Sequence, residues 1–382
     1  MKIAHVADTH LGYMQYHLRE RKEDFFKAFT KVVDKCIEEG VELLLHAGDL
    51  FETYHPDVES LSFAIAQFKR LKEAGIRTIA ITGNHDRALR KGIYPPQEIL
   101  AQLGLLELLD PYGEVEFNGV SIFGFRYMPR RYFEKFKEKT LVEFEEKALS
   151  RSSPSILLFH QAVDQFLPFP DAYEVLMPEL PKGFAYYAAG HIHVYRVEEV
   201  NGALFSYPGS TEFRTLLEAS RGRRGFNIYD VEAGRVRRVE LEGLRPFIVF
   251  KTSQAEAPQE LKELLEVVKS QPQRPVVVLI YQFKELPIEK FTEVLKKIEK
   301  HSLYLKVIKR PEGVEESVGA ERGVTLHQLF EAYAREEGLS NRVKKLSWEI
   351  INSSPDSVEG IVEDFLKEEL GELYDSFSSV EE

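Results

Sequence analysis

The sequence has a single cysteine, Cys36, in 382 residues and no long run of apolar residues. Because Cys36 has no second thiol to pair with, an internal disulfide is excluded, and we expect a cytoplasmic protein. No apolar segment approaches the roughly 18 residues that a membrane-spanning helix needs, and the first residues enter a strand pattern without a signal-peptide pattern. The composition therefore predicts a chain that does not contact a membrane.

Positive charge is also scarce relative to negative charge, since the formal net charge is −12. The acidic surplus is uneven, however, because residues 323–382 contain 14 acidic and 5 basic side chains. Residues 1–322 are therefore close to neutral and can carry local basic patches. A nucleic-acid ligand is not excluded by the net charge.

The strand and helix patterns divide the chain into four parts and predict the α/β (α+β) fold class. Residues 1–243 begin with alternating strands and helices, which predict a mainly parallel sheet. They continue with shorter strands joined by the hairpin signals Asn118-Gly119 and Asn201-Gly202, so a β-sandwich flanked by helices is expected. Residues 244–310 predict a small α/β domain. Residues 311–322 predict a linker, and residues 323–382 predict a tail of amphipathic helices.

Five predicted strands in the first part are followed by residues of types that commonly bind metals. Their polar side chains are Asp8, His10, Asp49, Asn84, His160, His191 and His193. Taken singly, a strand-end Asp or His is more often a cap or a turn residue. Taken together, these residues provide the mixed oxygen and nitrogen ligands that two divalent cations about 4 Å apart need. The absence of thiolate disfavours structural zinc and favours manganese, iron or catalytic zinc.

The motifs Asp-x-His, Gly-Asp, Gly-Asn-His-Asp, a lone His and Gly-His-x-His, in this order, resemble the calcineurin-like metallophosphoesterase superfamily. The segments Ala7–Gly12, Ala47–Phe51 and Tyr207–Ser210 are similar to those of the archaeal meiotic-recombination-eleven nucleases. That resemblance implies a metallophosphoesterase domain, a capping role for the small α/β domain and a nucleoid-associated protein. It also implies two Mn²⁺ per subunit, a homodimer, and a coiled-coil ATPase of the ABC type as partner.

The resemblance also implies a role for each site residue. Asp8, His10 and His193 would hold one cation, Asn84, His160 and His191 the other, and Asp49 would bridge them. His85 would protonate or stabilise the leaving oxygen, and Asp86 would hold His85 in place. One position departs from the family pattern: a second functional histidine often stands three residues after the bridging aspartate, where this chain has Glu52. A carboxylate would not help to orient a phosphate, so weaker or differently tuned exonuclease activity is expected.

Basic residues near the predicted site are candidates for binding DNA. They are Arg87, Arg90, Lys91, Arg126, Arg130, Arg131, Arg214 and Arg221. The segment Arg126–Lys137 interleaves basic and aromatic residues, which suits phosphates and frayed bases, but an ordinary amphipathic segment with a solvated basic face explains it equally well.

Apolar stripes on the tail are candidates for binding the ATPase partner rather than packing back on the catalytic body. They include Leu329, Phe330, Leu346, Ile350, Ile361 and Phe365. For the homodimer, the helical segments Asp57–Ala74 and Gln97–Gly104 are the expected contacts, through a face with Leu61, Ile65 and Phe68 that core packing would explain equally well.

Three functions compete at this point. The favoured one is a Mn-dependent DNA nuclease of double-strand-break repair, 3′-to-5′ on duplex ends and endonucleolytic on single strands or hairpins, working with the ATPase. The first alternative is a hydrolase of cyclic nucleotides or other small phosphodiesters, which would share every metal ligand. The second is a DNA-end-binding scaffold with little catalysis, for which Glu52 is the one supporting feature.

Overall fold

The computed structural model describes residues 1–87, 93–166, 173–200, 202–215, 218–219, 222–283, 291–311, 344 and 346–347. The chain divides into two compact units, and the sheets and helices below lie in the first, made of Met1–Gln165 and Tyr173–Glu315. In the described part of the chain, no helix is both long and apolar enough to cross a bilayer.

Two six-stranded sheets form the body of this unit. The first contains β1 (Lys2–Val6), β2 (Leu43–Ala47), β3 (Arg77–Ile81), β4 (Glu107–Leu108), β11 (Gly225–Asp230) and β12 (Arg235–Glu240), in the order β12-β11-β1-β2-β3-β4. Strands β1 to β4 are parallel, whereas β11 is antiparallel to β1 and to β12. The parallel part follows from the strand–helix alternation, whereas the positions of β11 and β12 were not predicted.

The second sheet contains strands from the middle of the chain, which have 5 or 6 residues and are not shorter than those of the first sheet, contrary to the expectation. These are β5 (Tyr112–Phe117), β6 (Val120–Phe125), β7 (Ser155–His160), β8 (Tyr186–Gly190), β9 (Arg196–Val200) and β10 (Ala203–Tyr207), in the order β5-β6-β7-β8-β10-β9. Both predicted hairpins are present, as the antiparallel pairs β5–β6 and β9–β10. Parallel pairing joins β6, β7 and β8.

Alternate residues of each strand point to opposite sides of its sheet. The two sheets pack face to face through the apolar residues on one side of each. Ile3 and Leu45 face the interior between the sheets. Ala4 and Leu44 face the helices α1 (Arg19–Glu38) and α2 (Val58–Glu73), which cover the first sheet. Further α-helices in the described part of this body are α3 (Gln97–Gln102), α4 (Arg130–Phe136) and α5 (Val142–Leu149). The prediction of a helix-flanked β-sandwich is confirmed.

Helices α4 and α5 cover the second sheet with aromatic side chains. Phe144 lies 5.1 Å from Phe123, and Phe136 lies 5.0 Å from Phe125, measured between ring centroids. Phe133 is fully buried in the same cluster. These phenylalanines belong to the core, so stacking on frayed bases by the aromatic residues of Arg126–Lys137 is limited to residues such as the half-exposed Tyr132.

A smaller three-stranded sheet follows the sandwich. It is fully parallel and contains β13 (Phe247–Ser253), β14 (Val276–Phe283) and β15 (Tyr304–Pro311), with helices α6 (Ala257–Lys269) and α7 (Thr292–His301) packed on it. A separate apolar core, including Leu264, Leu279 and Ile298, joins these elements. The domain limits at residues 243, 310 and 322 stay a prediction, and the tail lies outside the described residues except for Lys344, Leu346 and Ser347.

Buried charged groups connect the sandwich to the small sheet. The Arg21 guanidinium is fully buried and donates to Asp24 (2.7 Å), Glu212 (3.1 Å) and the Phe213 carbonyl oxygen (2.9 Å). Arg245, which precedes β13, donates to both oxygens of the same Asp24 at 2.5 and 3.1 Å. Because a buried carboxylate without a partner is strongly unfavourable, these groups depend on one another.

We predict that Arg21→Met destabilises the fold by about 3–5 kcal/mol, because it leaves the fully buried Glu212 without its cation. Urea unfolding followed by circular dichroism measures the change. Arg237→Met is the control, since Arg237 pairs with Glu39 on the surface (2.7 Å) and its loss has little effect. Equal shifts of the two unfolding midpoints would contradict the role given to Arg21.

Candidate metal centre

The predicted ligands meet at one edge of the sandwich because five parallel strands end there. Strands β1, β2 and β3 of the first sheet and β7 and β8 of the second end at or just before them. Since β2 packs against β7 and β8, the two sets of strand ends face each other. All seven predicted ligands are described, and the distances below show that they form one cluster.

The first group of ligands consists of Asp8, His10 and His193. The Nε2 atoms of the two histidines are 3.2 Å apart, and His193 Nε2 lies 3.5 Å from Asp8 Oδ1. One ligand atom from each residue lies within 4.8 Å of the others. These are the three residues that the resemblance places around the first cation.

The second group consists of Asn84, His160 and His191. Asn84 Oδ1 lies 3.2 Å from His160 Nε2, and the rings of His160 and His191 are 5.0 Å apart between centroids. Asp49 stands between the two groups, because its Oδ2 is 3.4 Å from His160 Nε2 and 3.9 Å from His10 Nε2. This position suits a bridging carboxylate.

The other ring nitrogen of two of these histidines has a hydrogen-bond partner. The Nδ1 atom of His160 lies 2.7 Å from the Ala47 carbonyl oxygen, and that of His193 lies 2.9 Å from Glu218. The Nδ1 atom of His10 lies 2.9 Å from Glu52 Oε2, an ion contact without hydrogen-bond alignment. A proton on Nδ1 suits the contacts of His160 and His193 and leaves their Nε2 atoms with a lone pair directed at the cluster. This is how proteins orient imidazoles that bind metals.

The donor set fits a divalent cation for a second reason. The Nε2 atoms of His10 and His193 are 3.2 Å apart. Two imidazole nitrogens at that distance attract each other only if a proton or a metal ion lies between them, since two lone pairs would repel. Oxygen and imidazole ligands without thiolate also suit manganese, iron or catalytic zinc.

The pKa values of the site are shifted in opposite directions by burial and by the carboxylates. Burial lowers the pKa of His10 and, together with the nearby His160, lowers that of His191 to about 3. Burial also acts to lower the pKa of His160, but Asp49 and Asp8 outweigh it and raise this pKa to about 9. The same contact holds the pKa of Asp49 well below its usual range despite its burial. A cation would therefore be stabilised by ionised Asp49.

Several ligands have an unusual backbone conformation. Asp8, His10, Asp49 and His191 have φ values of 53°, 45°, 53° and 93°. Non-glycine residues rarely occupy this left-handed region, and each instance costs on the order of 1–3 kcal/mol. Such strain is typical of functional sites, where the surrounding structure enforces a side-chain direction.

His85 lies at the rim of the cluster, with a quarter of its side chain exposed. Its backbone N–H donates to Asp49 Oδ1 at 2.9 Å, and its Nδ1 lies 3.0 Å from the Glu52 carbonyl oxygen. The two oxygens of the Asp86 carboxylate accept the backbone N–H groups of Gly83 (2.8 Å) and Phe51 (3.0 Å). Asp86 therefore joins the loops after β2 and β3, and its role in holding His85 in place stays a prediction.

Three acidic residues of the site were not predicted in these roles. Glu218 supports His193, and although burial acts to raise its pKa, His193 and the nearby Arg224 bring it to about 2. Glu52 supports His10, and Glu174 Oε2 lies 3.9 Å from His191 Nε2. The sequence signal was weak, because Glu218 and Glu174 follow no strand pattern.

The predicted DNA-binding residues are placed differently from one another. The Arg87 guanidinium lies 5.5 Å from the ring centroid of Tyr127, and this ring lies 5.5 Å from that of His191. Arg130 donates to the Tyr173 hydroxyl at 2.9 Å, and Arg126 donates to Asp110 at 3.2 Å. Arg214 donates to Glu52 inside the site, at 2.7 Å.

Other predicted residues give less information. Arg90, Lys91 and Arg221 lie outside the described residues, and the side chain of Arg131 is not described. Of the predicted partner-binding residues, Leu346 is helical and partly buried. Leu329, Phe330, Ile350, Ile361 and Phe365 lie outside the described residues.

Comparison with known proteins agrees with this geometry. Residues 1–195 match the calcineurin-like phosphoesterase family. The DNA double-strand break repair protein Mre11 of Methanocaldococcus jannaschii is 32% identical over 282 residues, which cover 71% of this chain and 75% of that protein. The chain belongs to the Mre11 family of calcineurin-like phosphoesterases. The resemblance expected from the motifs is confirmed, and with it the prediction of a phosphoesterase enzyme.

Other Mre11 proteins match over different lengths. The DNA double-strand break repair protein Mre11 of Saccharolobus solfataricus is 37% identical over 213 residues, which cover 56% of this chain and 55% of that protein. The protein of the same name from Methanococcus maripaludis is 28% identical over 375 residues, which cover 94% of this chain and 97% of that protein. The similarity to Mre11 proteins thus extends beyond the region that contains the metal ligands.

We predict that Gly83→Ala weakens Mn²⁺ binding at least about tenfold, because an added Cβ would lie 2.0 Å from Asp49 Oδ1. Isothermal titration calorimetry measures the affinity. Gly113→Ala is the control, since its Cβ would first meet the Leu109 side chain, at 3.1 Å, away from the cluster. Unchanged Mn²⁺ affinity in Gly83→Ala would count against the assigned position of Asp49.

Proposed function

We propose that this chain is a Mn²⁺-dependent DNA nuclease of double-strand-break repair. It removes nucleotides in the 3′-to-5′ direction from duplex ends and cuts single strands or hairpins internally. The observation that carries the proposal is the Asp49-centred cluster of seven ligands with His85 at its rim, in a member of the Mre11 family. Mre11 relatives that bear the name of a double-strand-break repair protein support DNA as the substrate.

Two divalent cations would be held by Asp8, His10 and His193 on one side and by Asn84, His160 and His191 on the other, with Asp49 between them. When bound, such cations lower the pKa of water and neutralise the charge that develops on a phosphate during hydrolysis. Manganese suits the mixed carboxylate, amide and imidazole ligands, although other divalent metals share this preference.

The role of His85 follows from its contacts. Since a carbonyl oxygen only accepts, the contact with the Glu52 carbonyl places a proton on His85 Nδ1. The opposite nitrogen, Nε2, is then the atom that can donate a proton or a hydrogen bond to a leaving oxygen. The backbone contact with Asp49 fixes His85 beside the ligand shared by the two groups.

Other parts of the chain are candidates for binding DNA and partner proteins. Arg87 and Arg130 are candidates for contacts with the phosphate backbone, which require no base recognition. We further propose that the helices of residues 323–382 bind an ABC-type coiled-coil ATPase and that the chain forms a homodimer through α2 and α3. Leu61 and Ile65 are partly buried and available for this role, whereas Phe68 belongs to the core.

We predict that His85→Ala lowers Mn²⁺-dependent hydrolysis of 3′-end-labelled duplex DNA by about 10²- to 10⁴-fold, the usual contribution of a general acid. Mn²⁺ binding is retained, because His85 is not one of the seven ligands. His55→Ala is the matched control, since His55 is exposed in the loop after β2 and stacks edge-on with Tyr54.

The same assay includes bis-p-nitrophenyl phosphate. Hydrolysis of this small diester with intact DNA, even in the presence of the ATPase, would overturn the nuclease proposal in favour of a small-molecule hydrolase. DNA binding in the presence of a chelator, without cleavage of either substrate on addition of Mn²⁺, would favour a DNA-end-binding scaffold.

A further inference from the structure

By the resemblance described above, Glu52 stands where a second functional histidine would be expected, and its side chain is only 15% exposed. One carboxylate oxygen, Oε2, lies 2.9 Å from His10 Nδ1. The other, Oε1, accepts from Arg214 at 2.7 Å and lies 3.9 Å from His85 Nδ1. If Glu52 were only a substitution that removes a functional histidine, its carboxylate would not be expected to contact His10, His85 and Arg214 together.

We propose that Glu52 and Arg214 form a positioning pair that replaces this histidine, orienting His10 toward the first cation and stabilising the ring of His85. The inference rests on the metal-dependent hydrolysis proposed above. The carboxylate of Glu52 and the guanidinium of Arg214 would together fill the role of the histidine that this sequence lacks.

The effect on His10 follows from its two ring nitrogens. The Glu52 carboxylate faces Nδ1 and favours a proton there, which leaves Nε2 as the atom that binds a cation. That Nε2 lies 3.2 Å from His193 Nε2, inside the first group of ligands. A carboxylate behind a ligating imidazole fixes its orientation and increases its basicity.

His193 provides an internal comparison. Its Nδ1 lies 2.9 Å from Glu218, and the carboxylate of Glu218 lies 3.5 Å from the Arg224 guanidinium. Each histidine of the first group thus has, 2.9 Å from its Nδ1, a glutamate that is itself paired with an arginine; the contact of His193 is a hydrogen bond, and that of His10 is an ion contact. In the second group, His160 is supported by the Ala47 carbonyl oxygen. The Glu52–Arg214 pair therefore repeats an arrangement already present in this site.

Arg214 is held in place from several directions. Its backbone N–H donates to Glu218 at 2.9 Å, and its carbonyl oxygen accepts from Gln15 at 2.7 Å. Its guanidinium also lies 5.1 Å from the ring centroid of Tyr13. Because the side chain starts from a fixed backbone, pairing with Glu52 loses less conformational entropy than a pair of mobile surface residues would.

Arg214 also balances the charge that Glu52 brings. A glutamate in place of a neutral imidazole adds a negative charge beside His10 and His85, in a site that already contains the carboxylates of Asp8 and Asp49. The guanidinium at 2.7 Å compensates for this charge and keeps the carboxylate directed at His10. Removing either member should therefore disturb the same two histidines.

The first test is a double-mutant cycle with Glu52→Gln, Arg214→Met and the double variant. Calorimetric titration with Mn²⁺ should show binding at the first site weakened about 10- to 100-fold in each single variant, as is usual for partners of metal ligands. The double variant should be no weaker than the weaker single one, because both changes remove the same interaction. Glu39→Gln with Arg237→Met is the matched control, since this surface pair has the same 2.7 Å separation.

The second test is Glu52→His, which introduces the residue that the resemblance implies at this position. We expect weaker Mn²⁺ binding and, at saturating Mn²⁺, a lower kcat for bis-p-nitrophenyl phosphate with little change in KM. The reason is that His85 loses the carboxylate 3.9 Å from its Nδ1, although it keeps its contact with the backbone carbonyl of residue 52. Arg214→Lys should recover part of the affinity lost in Arg214→Met, since it keeps the charge but not the planar fork. Thermal unfolding of each variant separates these effects from loss of the fold.

Two results would overturn the inference. One is wild-type Mn²⁺ affinity and kcat in both Glu52→Gln and Arg214→Met. The other is a gain of DNA hydrolysis in Glu52→His with unchanged metal binding, which would mean that Glu52 is a lost histidine and no more. A wild-type chain that binds Mn²⁺ but hydrolyses neither DNA nor the diester would instead overturn the proposed function, while the comparison of affinities would still decide the role of the pair.

Discussion

Burial of the carboxylates Asp8 and Asp49 is the constraint on which the rest of the site depends. Both are at most 1% exposed, and an ionised carboxylate removed from water is stable only next to compensating positive charge. The imidazoles of His160 and His193 lie close enough to provide part of it, and bound cations would provide more. The left-handed backbone of Asp8 and Asp49 and the lack of space for a side chain at Gly83 are consequences of directing these carboxylates at one point.

The clustering of the seven candidate ligands could be predicted because each depends on local sequence. An apolar strand followed by Asp, Asn or His indicates both the residue type and its position at a sheet edge, and the structure places Asp49 and His160 together as that reasoning expects. Strands β11 and β12 could not be placed in this way. Their pairing beside β1 joins residues more than 200 positions apart, and local periodicity contains no information on such pairing.

The same limit explains why the sequence alone suggests no role for Glu52. Considered alone, a carboxylate near a phosphate site looks unhelpful, because repulsion between like charges is the only interaction visible in the local sequence. Its partner Arg214 is 162 residues away and had been assigned to DNA. Glu218 shows the same difficulty, since it reaches His193 from a loop without a strand pattern. The residues that support the ligands are fixed by tertiary contacts, so they emerge only from the folded chain.

We expect one buried cluster to hold two cations with Asp49 between them. Anomalous diffraction at the manganese edge, from crystals grown with Mn²⁺, would locate these cations. Two peaks are expected, one against Asp8, His10 and His193 and one against Asn84, His160 and His191, with Asp49 in contact with both. A single peak, or two peaks that Asp49 does not join, would contradict a two-cation site bridged by Asp49.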